Sequence, residues 1–411
     1  MPDPTVLSAN TDVNQGPCSA GDDDATAPNG FRKADDKGKK IPTGNFFEVR
    51  CDPAGKYLPT ICGYLDKMIT RVCITVDTEF SIGGAFSDNC QKPVADPMVW
   101  CDVGGKSEGL GFLLSTFDRY QVAATFFVES LHKHYFRQDP MSKVVRAIQA
   151  AGHEIQLHAH PCWTAFKSPD WQSRVASKRP KDNFFGMDVD ATAAAIDDAI
   201  DLFNEWDVAA PRVFRSGNLQ HDDVLYAALA KVGIPFSSNI GLSIFNSGDP
   251  RYQLYSGRHE RHGVWEAPVL TFCDFSIAGR AHLKTLTVAG TSFLEMKTLL
   301  ERAYDADIPL VVILTHPFEY VQFSSSSVNV VRRHSINQQR LSRLCSFLDQ
   351  NRTRFAPVGL AGAQSDMASK KSTANVLLNG VLWQSMARVA TQATYDYYGR
   401  VALAASGKAA A

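Results

Sequence analysis

The sequence predicts an α/β protein built on a closed parallel barrel, and three observations carry that reading. From about residue 71 onward, short β-rich apolar runs alternate with longer helix-like segments, the pattern of successive strand–helix units. About seven such units fall within roughly 290 residues, which suits a barrel better than an open sheet. The first strand is followed by neither a GxGxxG nor a GxxxxGKS/T loop, which counts against nucleotide binding on an open doubly wound sheet, the alternative.

In order, the expected strands are Arg71–Asp77, Val122–Val128, Glu154–His158, Val213–Arg215, Pro235–Ser238, Val264–Ala267 and Leu310–Thr315, with a further one near Arg354–Val358. Helices are expected near 106–120, 141–151, 188–206, 222–232, 291–306 and 336–351. Asp188 or Asp190 offers an N-cap to the third helix, while Gly152 and Gly233 stop the second and fourth. Outside this core, residues 1–42 read as a flexible polar tail, 43–70 as an extension packing on the core, 71–365 as the barrel and 366–411 as a C-terminal helical extension. The Ser run at 324–327 reads as a mobile loop. Val376, Leu377, Val381, Trp383 and Met386 are expected to form the face on which the C-terminal helix docks.

Composition excludes several classes. With 42 basic against 43 acidic residues there is no cationic field for a nucleic-acid partner. No apolar run reaches 18 residues, so no transmembrane segment is expected. The polar opening lacks the apolar centre of a secretion signal, and the nine cysteines contain no CxxC pair. Both observations predict a cytoplasmic protein with reduced thiols, Cys90 with Cys101 being the one pairing considered. The sequence does not give the oligomeric state.

Active residues of a parallel barrel gather where its strands end. Here those ends carry Asp77 and Glu79, Glu129, His158 and His160, Arg215, Glu266 and His316, a mixture that suits metal-assisted hydrolysis. Alternation along a strand puts Asp77 and Glu79 on one face and Thr78 on the other. His158 and His160, two residues apart, share a face and make a chelating pair. Arg215 is placed to hold a carboxylate bidentately, and His316 to give a proton near neutral pH. Each has a structural alternative: solvated strand-end charges, core histidines or a plain ion pair.

Together, Thr75-Val76-Asp77-Thr78-Glu79, Ala124-Thr125-Phe126-Phe127-Val128, Gly152-His153-Glu154-Ile155 with Leu157-His158, Arg215-Ser216-Gly217 and Leu314-Thr315-His316 resemble the motifs of the polysaccharide deacetylase family (the NodB-homology, carbohydrate esterase family 4 group), as a divergent member. The resemblance spans about residues 70–360. It implies a distorted (β/α)7 TIM-like barrel with N- and C-terminal extensions, and one divalent metal ion: zinc first, with cobalt, manganese or nickel as alternatives. The implied activity is hydrolysis of an N-acyl group, foremost N-acetyl, on an amino sugar or saccharide.

By this resemblance Asp77 is the catalytic base, Arg215 its orienting partner and His316 the catalytic acid. The family's second Asp falls on Thr78, so Glu79 is expected to be the metal ligand instead. His158 matches the first ligand His, whereas the second falls on Cys162, leaving His160 or Cys162 to replace it; His160 is preferred. No organic cofactor is implied. Trp100, Trp163, Trp171, Phe184, Phe185 and Phe318 stand in expected rim loops, as sugar-stacking faces or as loop packing, and the insertions 81–105 and 161–187 suggest a covered cleft. Two other readings stay open: an amidohydrolase of this fold acting on a non-sugar amide, and a metal-free barrel, motivated by Thr78 and Cys162, that binds carbohydrate or a partner.

Overall fold

The computed structural model describes residues 67–408 except 89, 278, 324–329 and 368–370. The expected tail, most of the 43–70 extension and the Ser run lie outside the described residues.

Seven parallel strands form the barrel: β1 (Thr70–Thr78), β2 (Ala124–Glu129), β3 (Glu154–Ala159), β4 (Val213–Ser216), β5 (Phe236–Ser237), β6 (Val264–Glu266) and β7 (Leu310–Thr315). They lie in the order β7-β1-β2-β3-β4-β5-β6. Closure is by isolated bridges rather than a ladder: Val269 pairs with Val312 and Thr287 with Leu314. A hairpin of Thr271–Ile277 and Arg280–Thr285, absent from the expected elements, is inserted between those two bridging points. It interrupts the pairing of the last two strands and distorts the barrel there. The strand expected near 354–358 is Phe355–Pro357, which pairs with the start of β1.

The outer helices are α1 (Leu110–Arg119), α2 (Met141–Ala150), α3 (Val189–Glu205), α4 (Asp223–Val232), α5 (Phe293–Asp305) and α6 (Ser335–Gln350). Asp188 caps α3 by accepting from the Ala191 N–H, and Gly233 ends α4 at φ 85°, a left-handed conformation that glycine takes without strain.

Strand alternation sorts the core into two. Val72, Ile74 and Val76 face the helices, whereas Cys73, Phe127, Val213, Val269, Val312 and Leu314 line the barrel, plugged below by Leu360, Ala361 and Ala363 of the short helix Leu360–Asp366. The face that carries Cys73 continues upward through Thr75, Asp77 and Glu79. The apolar plug therefore fills the lower barrel and leaves the upper rim to polar groups.

The C-terminal helix α7 spans Leu382–Lys408, but its expected docking face is wrong. Val376 and Leu377 precede the helix, and Trp383 and Met386 are exposed. The face turned inward is polar. Ser385 and Arg388 meet two buried carboxylates, Asp274 of the inserted hairpin and Glu295 of α5. An apolar face has nothing to gain on such a surface.

No helix among the described residues is long and apolar enough to cross a membrane. Cys90 and Cys101 are both free thiols, so the pairing considered between them is not formed; Cys73, Cys162, Cys273 and Cys345 are free as well.

Candidate active site

Arg215, the last residue but one of β4, lies wholly inside the barrel. A buried guanidinium needs a partner for its charge and its donors. Its Nη1 donates to Asp77 Oδ1 at 2.7 Å and to the Thr75 hydroxyl at 2.8 Å. Its Nε and Nη2 donate to the Ser238 carbonyl at 2.9 Å and hydroxyl at 2.8 Å, and the guanidinium lies over the Phe127 ring at 4.2 Å. Asp77 is thereby fixed, with its Oδ2 turned toward His316 Nε2 at 3.9 Å.

His316 follows the apolar strand β7, where Pro317 starts a short turn over Pro317–Tyr320. Glu319, on that turn, accepts from the His316 Nδ1 at 3.0 Å and from the Thr315 hydroxyl at 2.7 Å. Phe318 stacks on the imidazole at 4.8 Å. Burial lowers the His316 pKa, but Glu319, Asp77 and Glu79 together outweigh it and lift it to about 9.

Across the rim, Glu79, His158 and His160 converge, their ligand atoms all within 4.8 Å of one another. Glu79 Oε2 lies 3.0 Å from His158 Nε2 and 2.7 Å from His160 Nε2. The other ring nitrogens are both engaged. His158 Nδ1 faces the Arg215 carbonyl at 2.9 Å, and His160 Nδ1 faces Asp182 Oδ1 at 2.8 Å. A carbonyl oxygen only accepts, so His158 carries its hydrogen on Nδ1. Beside a carboxylate, His160 does the same. In the neutral rings, two Nε2 lone pairs then point at one carboxylate oxygen. Added positive charge, as protons on both rings or as one metal cation, reconciles the three. The donor set of two imidazoles and a carboxylate, each imidazole braced from behind, fits a divalent transition metal.

The local electrostatics favour positive charge here. Burial opposes it, yet Asp182 and Glu79 raise His160 well above an ordinary imidazole. Glu79 is held well below the usual carboxylate range by His160 and His158, against its own burial. Beneath this group, burial pushes Glu129 up to about 7, although His160, His158 and two backbone N–H groups pull it down. Its carboxylate accepts from the His160 N–H at 2.6 Å and the Leu131 N–H at 2.7 Å.

The six residues expected to act as catalytic groups or metal ligands are all at this rim. Asp77, Arg215 and His316 form one half, and Glu79, His158 and His160 the other. Thr78 is buried, its hydroxyl donating to the Val76 carbonyl of its own strand. Cys162 turns its thiol toward Asp182 Oδ1 at 2.7 Å, away from the Glu79 group; burial and then Asp182 push its pKa well above that of a free thiol. Glu266 lies apart, holding the 237–240 backbone through the Asn239 and Ile240 N–H groups. Of the aromatic candidates, Trp163 and Phe184 are buried in the core, whereas Phe185 is 40% exposed.

Sequence reasoning missed Asp182, Glu319, Thr75 and Ser238. The spacing of Glu319 three residues after His316 is a capping-box signal that was available. Asp182 lies 22 residues from its partner in a segment without period, and nothing in the sequence marks it.

Residues 102–237 match the sequence profile of the polysaccharide deacetylase family. No match to a curated protein was found. Among solved structures, the chain is similar to a protein from Mycobacterium smegmatis provisionally described as a polysaccharide deacetylase: 16% identity, 76% of this chain and 95% of the other covered, TM-score 0.41. It is similar to a family 4 carbohydrate esterase from Streptomyces lividans, solved with acetate, at 13% identity over 76% and 99% of the two chains, TM-score 0.35. A family 4 acetyl xylan esterase from Clostridium thermocellum, solved with a cobalt ion, is similar at 14% identity over 76% and 99%, TM-score 0.37. The similarity to the polysaccharide deacetylase family is thus carried by the matched segment, residues 102–237.

Proposed function

We propose that the protein is a metal-dependent hydrolase that removes an N-acyl group, foremost N-acetyl, from an amino sugar or saccharide. The observation that carries this reading is the arrangement of Glu79, His158 and His160, with both Nε2 atoms turned to one carboxylate beside the Asp77–His316 pair. A divalent ion held by those three residues would supply a Lewis acid at the acyl oxygen. Zinc suits the donors best, with cobalt, manganese or nickel as alternatives.

The chain's own residues then divide the proton work. Asp77, kept in place by Arg215, takes a proton from the attacking water. The water oxygen bonds the acyl carbon. His316, lifted to about 9, carries a proton at neutral pH and points its Nε2 at the same place. It gives that proton to the nitrogen as the carbon–nitrogen bond breaks. Glu319 keeps the ring oriented throughout. The products are a carboxylic acid and a free amine. The six free thiols among the described cysteines support a cytoplasmic setting, and with it an intracellular saccharide as substrate.

The test is metal content, by plasma mass spectrometry, of wild type and His158→Ala after dialysis, together with acetate release from acetylated chitooligosaccharides and from small acetamides. Bound metal in the wild type, lost in the variant, with acetate released from the sugars supports the reading. Release from the acetamides alone replaces the substrate class by a non-sugar amide. A wild type that retains no ion after reloading with zinc or cobalt overturns the hydrolase and leaves the binding-protein reading.

A further inference from the structure

Of the two imidazoles that face Glu79, His158 belongs to β3 and is held by the sheet, its Nδ1 bonded to the backbone of the neighbouring strand. His160 lies one residue past the strand, on the extended residue that precedes the turn Pro161–Lys167. No ladder partner fixes its ring. What surrounds it does. Its N–H is tied to Glu129, and one ring face lies against Gly217, where an added Cβ would come within 2.4 Å of Nδ1. These contacts set the position of the ring but not which nitrogen carries the hydrogen. That choice falls to Asp182, the acceptor at Nδ1.

We propose that Asp182 is a positioning residue of the metal centre: it fixes the tautomer and plane of His160, so that the 161–187 insertion becomes part of the metal-binding unit. This rests on the metal reading of the site. Asp182 is itself held. Its Oδ1 accepts from the Cys162 thiol at 2.7 Å as well as from His160. Asn218 donates from Nδ2 to the Asp182 carbonyl at 3.0 Å and to its Oδ2 at 3.3 Å. Asn218 sits in the left-handed region, φ 56° and ψ 19°, a conformation that asparagine tolerates better than most residues. It directly follows Gly217, so one turn after β4 supplies both the surface beneath His160 and the clamp on Asp182. The Asp182 side chain is 50% exposed, so core packing does not explain its place.

Through Asp182 the insertion thus makes a direct polar contact with one of the proposed metal ligands. The Cys162 thiol takes its place in the same shell, as a donor to Asp182 and not as a ligand. This accounts for the chain's departure from the family at position 162: the second imidazole moves to 160, and Asp182 braces it there.

The experiment measures zinc affinity, by competition with a chromophoric chelator at fixed pH, for wild type, Asp182→Ala and Asp182→Asn, with the visible absorption of the cobalt-loaded proteins as a second readout. Loss of such a brace weakens metal binding by about 10–100-fold. Asp182→Ala is expected in that range. Asp182→Asn, which keeps an acceptor oxygen but not the charge, is expected to fall between Ala and wild type and to shift the cobalt bands. Thermal unfolding of the metal-free variants is expected to match wild type. Wild-type affinity and cobalt spectrum in Asp182→Asn overturn the proposal even where the alanine variant fails to fold. A wild type that binds no metal overturns the metal reading itself and this proposal with it, a result distinct from equal binding by all three proteins.

Discussion

The two halves of the rim share only β1, and Asp77 with Arg215 is anchored differently from Glu79 with His160. Asp77 and Arg215 lie within β1 and β4, and their partners Thr75, Ser238 and Phe127 line the barrel below them. Glu79 and His160 each lie one residue beyond their strands, and the partners of His160 are Glu129, Asp182 and the Gly217–Asn218 turn. On the proposed metal reading, both departures from the motifs of the family the chain resembles fall in the second half. The carboxylate stands at 79 instead of 78, and the imidazole at 160 instead of 162. Groups locked into the ladder cannot slide without losing their face, because one step along a strand turns a side chain to the other side. Groups just past the strand end can move, provided the loops that brace them move too. Of the groups just past a strand end, Glu79 and His160 stand away from the motif positions of the family the chain resembles, whereas His316, braced by Glu319 on its own turn, keeps its position, as do Asp77, His158 and Arg215 within their strands.

Breaking the first half, at Arg215, costs the fold. Arg215→Met leaves the Asp77 carboxylate buried without its counterion and the Ser238 acceptors unpaired. The expected loss is about 3–5 kcal/mol of unfolding free energy, read from urea denaturation. A loss below about 1 kcal/mol would mean that Asp77 relaxes toward solvent, and the contrast between the halves would fail. Breaking the second half is expected, on the proposed metal reading, to cost metal affinity instead. Gly217→Ala drives a Cβ into the His160 ring, 2.4 Å from Nδ1 in the unrelaxed geometry. Zinc affinity is expected to fall by about 10–100-fold, with the unfolding midpoint changed far less than in Arg215→Met. Equal destabilisation by the two variants would show that both halves are structural.

The same contrast explains what was legible in the sequence. Asp77, His158, Arg215 and His316 are readable because strand periodicity and a strand-end position fix their face, and local motifs mark them. Glu79 and His160 follow from alternation one step further out. Asp182 is not readable, since its partnership runs between a loop and a strand end, and loops carry no period. The helix α7 fails for a related reason. The pattern rule assumes that a helix buries its apolar stripe, and it cannot see that the receiving surface holds Asp274 and Glu295. Ser385 and Arg388 answer those carboxylates, so the stripe of Trp383, Met386 and Val389 stays outside. The hairpin 271–285 carries no signal of its own in a pattern of alternating strands and helices, which after Val264–Ala267 points to the next parallel strand.

The smallest expected effect separates orientation from charge within the first half. Glu319→Gln keeps an acceptor at His316 Nδ1 but removes the carboxylate that does most to offset burial there. His316 then falls from about 9 toward the ordinary imidazole value of about 6.5. If His316 is the proton donor, as proposed, its proton is lost earlier on the way up in pH, and the alkaline limb of the activity profile is expected to move to lower pH while the acidic limb stays. Stability shifts with the same sign. In the wild type, a folded-state pKa raised above the unfolded one stabilises fully below about pH 6.5 and fades as pH rises through 9. The wild type should therefore exceed the variant in unfolding free energy at pH 6, and the gap should close by pH 10. An alkaline limb that stays in place would assign the proton donor to a group other than His316, while a limb that moves without the matching change in stability would place the effect of Glu319 on the reacting state alone.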